Sequence, residues 1–168
     1  MAEHILIPLD GSELAECALE HLKAIAIGCC VPEVVLLRVV EPTYAVGDVL
    51  SDSEVMITEL NNQIQKAAEL YITDVTDKFK QKYGINTQPA LVYGSAANEI
   101  LEYTKNNQVD LIIMTTHGRS GLSRWLLGNV ADRVSHHSTV PVLIIAPASC
   151  KFDSASQDKK EKAQSVTI

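Results

Sequence analysis

Several things are missing from this chain, and each absence closes a class of function. Basic charge is in deficit: 14 Lys and Arg against 21 Asp and Glu leave a net charge of −7. General binders of nucleic acid or of anionic membranes are usually basic, so neither is expected as a partner. No apolar stretch approaches the roughly 18 residues that span a bilayer. The start, Met1 to Asp10, lacks a basic stretch followed by a long apolar one, so it reads as a first strand rather than a secretion signal. The four cysteines, Cys17, Cys29, Cys30 and Cys150, form no C-x-x-C and no metal-ligand spacing. Cys29 and Cys30 are adjacent and poorly placed to pair with each other. All four are expected to be reduced thiols in a cytoplasmic protein.

The common nucleotide and catalytic motifs are missing too. There is no G-x-x-x-x-G-K-[ST], hence no Walker P-loop. The first turn reads Pro8-Leu-Asp-Gly-Ser12, which is not the G-x-G-x-x-G of a dinucleotide site. It also lacks the acidic cluster of a receiver domain. No G-x-S-x-G nucleophile elbow occurs, there is no internal repeat, and no catalytic residue is assigned.

What remains is an ordinary globular composition, 46% hydrophobic and 21% charged over 168 residues, enough for one domain with a real core. His4–Leu9 reads as a strand, with Ser12 as a helix cap after it. Ala15, Ala18, Leu19, Leu22, Ile25 and Ala26 then recur at helical spacing. Glu33–Val40 is a second strand, and 41–55 a connection of uncertain structure. A long helix is expected from Ile57, with Leu60, Ile64, Ala67, Tyr71, Val75 and Phe79 as its apolar stripe and Gly84 past its end. The stripe reads as core or as a dimer interface. Thr87–Tyr93 is the third strand, a short helix carries Ile100, Leu101 and Thr104, and Val109–Thr115 is the fourth strand. Asn129–His137 is a helix and Val140–Ala146 the fifth strand. The tail, 148–168, is polar without apolar period and is expected to be disordered, leaving 1–147 as the domain.

Alternating strands and helices imply a parallel α/β sheet with helices on both faces. Ligands of such sheets sit beyond the carboxyl ends of the strands, where strand order reverses. The order 2-1-3-4-5 puts that point between strands one and three. The order 3-2-1-4-5 puts it between strands one and four, and so joins Asp10 to the loop Thr115–Asn129. That loop carries Gly118 and Gly128 with nine residues between them, then Asn129 at a helix start. A strand, a Gly-bearing loop and a helix N-terminus form the geometry that holds phosphate. Both glycines also suit plain turns, and Asp10 suits a helix cap equally well. His136-His137 do not share a helix face, so a helix-end role fits better than a metal site. An apolar edge at strand five would be protected by pairing with a second copy.

Together Ile7-Pro-Leu-Asp-Gly-Ser12, Leu36-Leu-Arg-Val-Val40, Gly94, the block Met114–Val130 and Val140-Pro-Val-Leu-Ile-Ile145 resemble the universal stress protein family. The resemblance implies a five-stranded sheet in the order 3-2-1-4-5, the adenine nucleotide alpha hydrolase-like fold, and a homodimer through Val140–Ala146. It implies binding of ATP, or of ADP, AMP or cyclic AMP, with Mg²⁺ allowed. The role would be that of a dimeric, nucleotide-dependent sensor or switch in stress response. The family's G-x-x-G-x9-G-[ST] is matched at Gly118 and Gly128, while Thr115 stands at the first Gly and Asn129 at the Ser or Thr. By the same resemblance Pro8, Leu9 and Asp10 would lie at the adenosine end, and Val39 would pair with adenine through its backbone. Met114 would pack near the base. Thr115, Thr116, His117, Gly118, Arg119 and Ser120 would wrap ribose and phosphates, and Gly128, Asn129 and Val130 would offer amides to phosphate. A slow ATP hydrolase using Arg119 or Arg124, and a dimeric interaction module whose pocket Thr115 has closed, are the alternatives.

Overall fold

The computed structural model describes residues 3–29, 31–43, 51–116 and 128–146. The elements run β1 (His4–Pro8), α1 (Glu13–Cys29), β2 (Glu33–Val40), α2 (Ser51–Tyr83), β3 (Thr87–Tyr93), α3 (Ala96–Asn106), β4 (Leu111–Thr115), α4 (Asn129–His137) and β5 (Val142–Ile145). The five strands form one sheet in the order β3-β2-β1-β4-β5, and every neighbouring pair is parallel. The order therefore reverses between β1 and β4.

Strand alternation sorts the core into two layers, because successive side chains leave a strand on opposite faces. Ile5, Ile7, Val34, Leu36 and Ile113 pack with Ala18 and Leu22 of α1 and Ile72, Val75 and Phe79 of α2. Leu6, Leu37, Ile112 and Met114 pack on the other face with Ala97 and Ile100 of α3 and Ala131 and Val134 of α4. Both faces are covered, which is why β1, β2 and β4 read as nearly unbroken apolar runs.

Local chemistry sets the ends of the elements. Asp10 Oδ1 accepts from both the backbone N–H and the hydroxyl of Ser12, at 2.9 and 2.6 Å. Ser12 Oγ accepts the Ala15 N–H at 3.1 Å, so Ser12 caps α1 as expected and Asp10 steadies the cap. Gly11, at φ 85°, allows the turn between strand and helix. Gly84, at φ 67°, ends α2 with its N–H donated to the Lys80 carbonyl.

Two readings of α2 are corrected. It begins at Ser51 rather than Ile57, so much of the expected connection is helix. Its core stripe is Ala68, Ile72, Val75, Thr76 and Phe79, whereas Leu60 and Ala67 are exposed. The reason is length. Thirty-three helical residues rise about 50 Å, whereas the eight residues of β2 span about 27 Å. The Asn61 side chain bonds both the N–H and the carbonyl of Thr43, just past the end of β2. The start of α2 therefore overhangs the sheet and has no core to meet. The Cys17 expectation also fails: Cys17 is disulfide-bonded. The expected 148–168 tail lies outside the described residues.

Candidate functional site

The carboxyl ends of β1, β2 and β4 open into a cavity of about 450 Å³. That volume falls within the range of about 300–1,000 Å³ usual for small-molecule sites. Of the residues singled out in the sequence, Pro8, Leu9, Asp10, Val39, Met114, Thr115, Thr116, Gly128, Asn129 and Val130 all line it. His117, Gly118, Arg119 and Ser120 lie outside the described residues, as does Arg124. The strand order explains the convergence. Positions 8–10 and 114–116 are far apart in sequence, but β1 and β4 are adjacent, so their ends share one crevice.

The floor of the cavity is held by backbone bonds. Leu9 N–H donates to the Leu37 carbonyl at 2.8 Å, and Thr116 N–H to the Ile145 carbonyl at 3.1 Å. Arg38 Nη1 donates to the Leu9 carbonyl at 3.3 Å, so a cation from β2 fastens the turn after β1. Behind this turn Tyr71 Oη donates to Glu16 Oε1 at 3.0 Å. Burial, and then the Glu16 carboxylate, push the Tyr71 phenol well above its ordinary value, so it remains a neutral donor at physiological pH.

The start of α4 forms one wall. Its N-cap is Gly128, in extended conformation at φ −61° and ψ 150°, and among the described residues no side chain caps the helix. Asn129 is therefore the first helical residue rather than the cap. The Gly128 N–H is already donated to the Thr116 carbonyl at 2.7 Å, and Asp132 N–H bonds back to the Gly128 carbonyl. The donors this helix start can offer to an anion are thus the first-turn amides of Asn129, Val130 and Ala131, which have no acceptor within the helix. The bond from Gly128 to Thr116 ties the start of α4 to the end of β4.

Six lining residues were not anticipated: Ala15, Leu37, Arg38, Ala96, Ile100 and Ala131. Only Arg38 carried a signal, as the one charged residue within the apolar run 34–40. The others are ordinary core residues of elements that happen to meet at the cavity. Thr115 is only 8% exposed and sits on the cavity wall rather than filling the space. His136 and His137 close α4, with His136 Nδ1 at 2.8 Å from the Asp132 carbonyl. Among the described residues no group of three or more His, Cys, Asp or Glu could hold a metal ion, and no helix is long and apolar enough to cross a membrane.

Comparison with known proteins agrees with this geometry. Residues 1–146 match the model of the universal stress protein family. Universal stress protein MJ0531 of Methanocaldococcus jannaschii is 34% identical over 141 residues, covering 84% of this chain and 80% of that protein. The solved structure of hypothetical protein MJ0577 superposes with a TM-score of 0.72 at 32% identity, covering 86% of this chain and 96% of that one. Two more distant structures share the fold alone. One is a universal stress protein in complex with cAMP (TM-score 0.60, 17% identity, 87% and 98% covered). The other is an Arabidopsis thaliana family member with AMP bound (TM-score 0.57, 17% identity, 84% and 90% covered).

Proposed function

The chain belongs to the universal stress protein family, and from that premise we propose that it binds an adenine nucleotide in the cavity beyond β1 and β4. The observation that carries this reading is convergence. Ten residues chosen from sequence, drawn from four separate segments, line a single 450 Å³ cavity at the point where strand order reverses. In this reading Pro8, Leu9 and Asp10 lie at the adenosine end, and Val39 meets adenine through its backbone. Met114 packs near the base, and Thr115 to Ser120 wrap ribose and phosphates. The amides of Asn129 and Val130 receive phosphate at the start of α4.

ATP, with Mg²⁺ beside its phosphates, is the ligand proposed first, ahead of ADP, AMP and cyclic AMP. Contact between the nucleotide and the residues that follow Thr116 is what a partner protein would sense, making the chain a nucleotide-dependent switch in stress response. A cytoplasmic location accompanies this role, since it draws on the cell's nucleotide pool. The open cavity supports this reading over that of a pocket closed by Thr115.

Amide chemical-shift mapping with ATP and Mg²⁺ tests the site. Saturable shifts at Val39, Asn129 and Val130 are expected. Shifts confined to the opposite, amino-terminal end of the sheet would refute the assignment.

The proposed homodimer uses β5. Among the described residues this strand has a neighbour on one side only, and Leu143 on it is 40% exposed. A Leu143→Lys variant should lose the contact, read as a fall in mass by sedimentation. An unchanged mass would move the interface elsewhere.

A further inference from the structure

The overhanging start of α2 leaves an apolar stripe that neither the core nor the proposed nucleotide site uses. Met56 and Leu70 are each 74% exposed and Leu60 is 46% exposed; from Val55 to Ala67 no side chain is buried. The exposed positions Met56, Leu60, Gln63, Ala67 and Leu70 are separated by four, three, four and three residues. That spacing keeps the five on one face of the helix, as the seam of a two-heptad coiled coil would be. Half-buried Ile57 and Ile64 border the seam on the side facing the domain. Glu59 and Lys66 border it on the outer side.

We propose that this seam pairs with the same seam of a second copy, the two α2 helices running antiparallel. Charge complementarity points to a second copy as the occupant. In an antiparallel pair the outer flanking positions face their own kind across the two-fold axis. One register sets Glu59 opposite the partner's Lys66, twice by symmetry, and also sets Ile57 opposite the partner's Ile64. A slip of one heptad in one direction opposes Lys66 to Lys66; in the other it opposes Glu59 to Glu59 and brings Asp52 opposite Lys66. The matching register stacks Met56 on the partner's Ala67, large against small, and Leu60 on the aliphatic part of the partner's Gln63. Lys66 makes no ion pair among the described residues, and Glu59 is bonded only along its own helix, by Gln63 Nε2 at 3.1 Å. Both charges are available. This face lies on α2 and not on β5, so it is a second self-association surface, independent of the nucleotide reading.

Sedimentation velocity on the full chain over a wide concentration range tests the pairing. Glu59→Lys or Lys66→Glu alone creates two like-charge contacts and should weaken association about tenfold. Combining the two restores opposite charges and should return association to about the wild-type level. Glu59 and Lys66 are seven residues apart on one helix, too far to rescue each other within a single chain. Leu60→Glu should abolish the pairing. The proposal is overturned if the single variants associate like the wild type, or if the double variant is as weak as the singles. It is equally overturned if Leu60→Glu lowers the melting temperature without changing the mass, since the stripe would then be covered by the chain's own segments.

Discussion

Replacing Gly128 by Asp separates the stability of the helix start from its proposed use. Gly128 has φ −61° and ψ 150°, a backbone conformation open to any residue, so the change introduces no backbone strain. A carboxylate at this N-cap accepts first-turn amides, and relative to Gly it gains a few tenths of a kcal/mol. For a domain of this size that raises the melting temperature by about 1 °C. The effect on a phosphate is opposite and larger. At a separation of about 5 Å and an effective dielectric of about 20, two like unit charges repel by about 3 kcal/mol. Solvent at the partly exposed cavity mouth screens part of this, so affinity for ATP should fall between about tenfold and a hundredfold. Thermal melting and calorimetric titration of the same preparation read both effects. An equal or higher melting temperature with much weaker binding is expected. A melting temperature held or raised, with affinity within about twofold of wild type, would remove phosphate from the start of α4.

Three further outcomes follow from the described contacts. Thr115→Gly deletes a side chain that lines the cavity without filling it, so nucleotide affinity should hold or fall while unfolding free energy falls by about 1–2 kcal/mol; affinity that rises severalfold would show that Thr115 obstructs the ligand. Asp110 accepts the N–H groups of Glu3 and His4, which hold its carboxyl below the ordinary value. A depressed carboxylate stabilises the fold above the unfolded pKa of about 4 and loses that contribution as pH falls through the folded value. Urea midpoints of wild type and Asp110→Asn should therefore differ at neutral pH and converge in acid; a gap that persists in acid contradicts this. Thiol titration of the denatured, unreduced protein should find fewer than four free thiols, because Cys17 is disulfide-bonded; four would restore the reduced state expected from sequence.

The sheet was legible because its strands are short apolar runs punctuated by turn chemistry. Glu33–Val40, Thr87–Tyr93 and the helix Asn129–His137 fall where the pattern puts them. Strand order was not legible from pattern, since two doubly wound orders fit the same alternation; family resemblance chose the one observed. The start of α2 escaped because a helix that overhangs the sheet shows no core stripe to detect. Within the cavity, residues at strand ends and the α4 start were legible from loop chemistry. Ala96, Ile100 and Ala131 were not, because a wall made of core residues carries no mark of the space beside it. The role of Gly128 as cap, with its N–H given to Thr116, depends on tertiary approach of the loop ends and lies beyond any local reading.

The most direct test of the nucleotide reading is calorimetric titration of the purified, nucleotide-stripped chain with ATP, ADP, AMP and cyclic AMP, with and without Mg²⁺. Saturable binding near one site per chain is expected, tightest for ATP with Mg²⁺. Absence of heat with all four, together with an unshifted melting temperature, would contradict it.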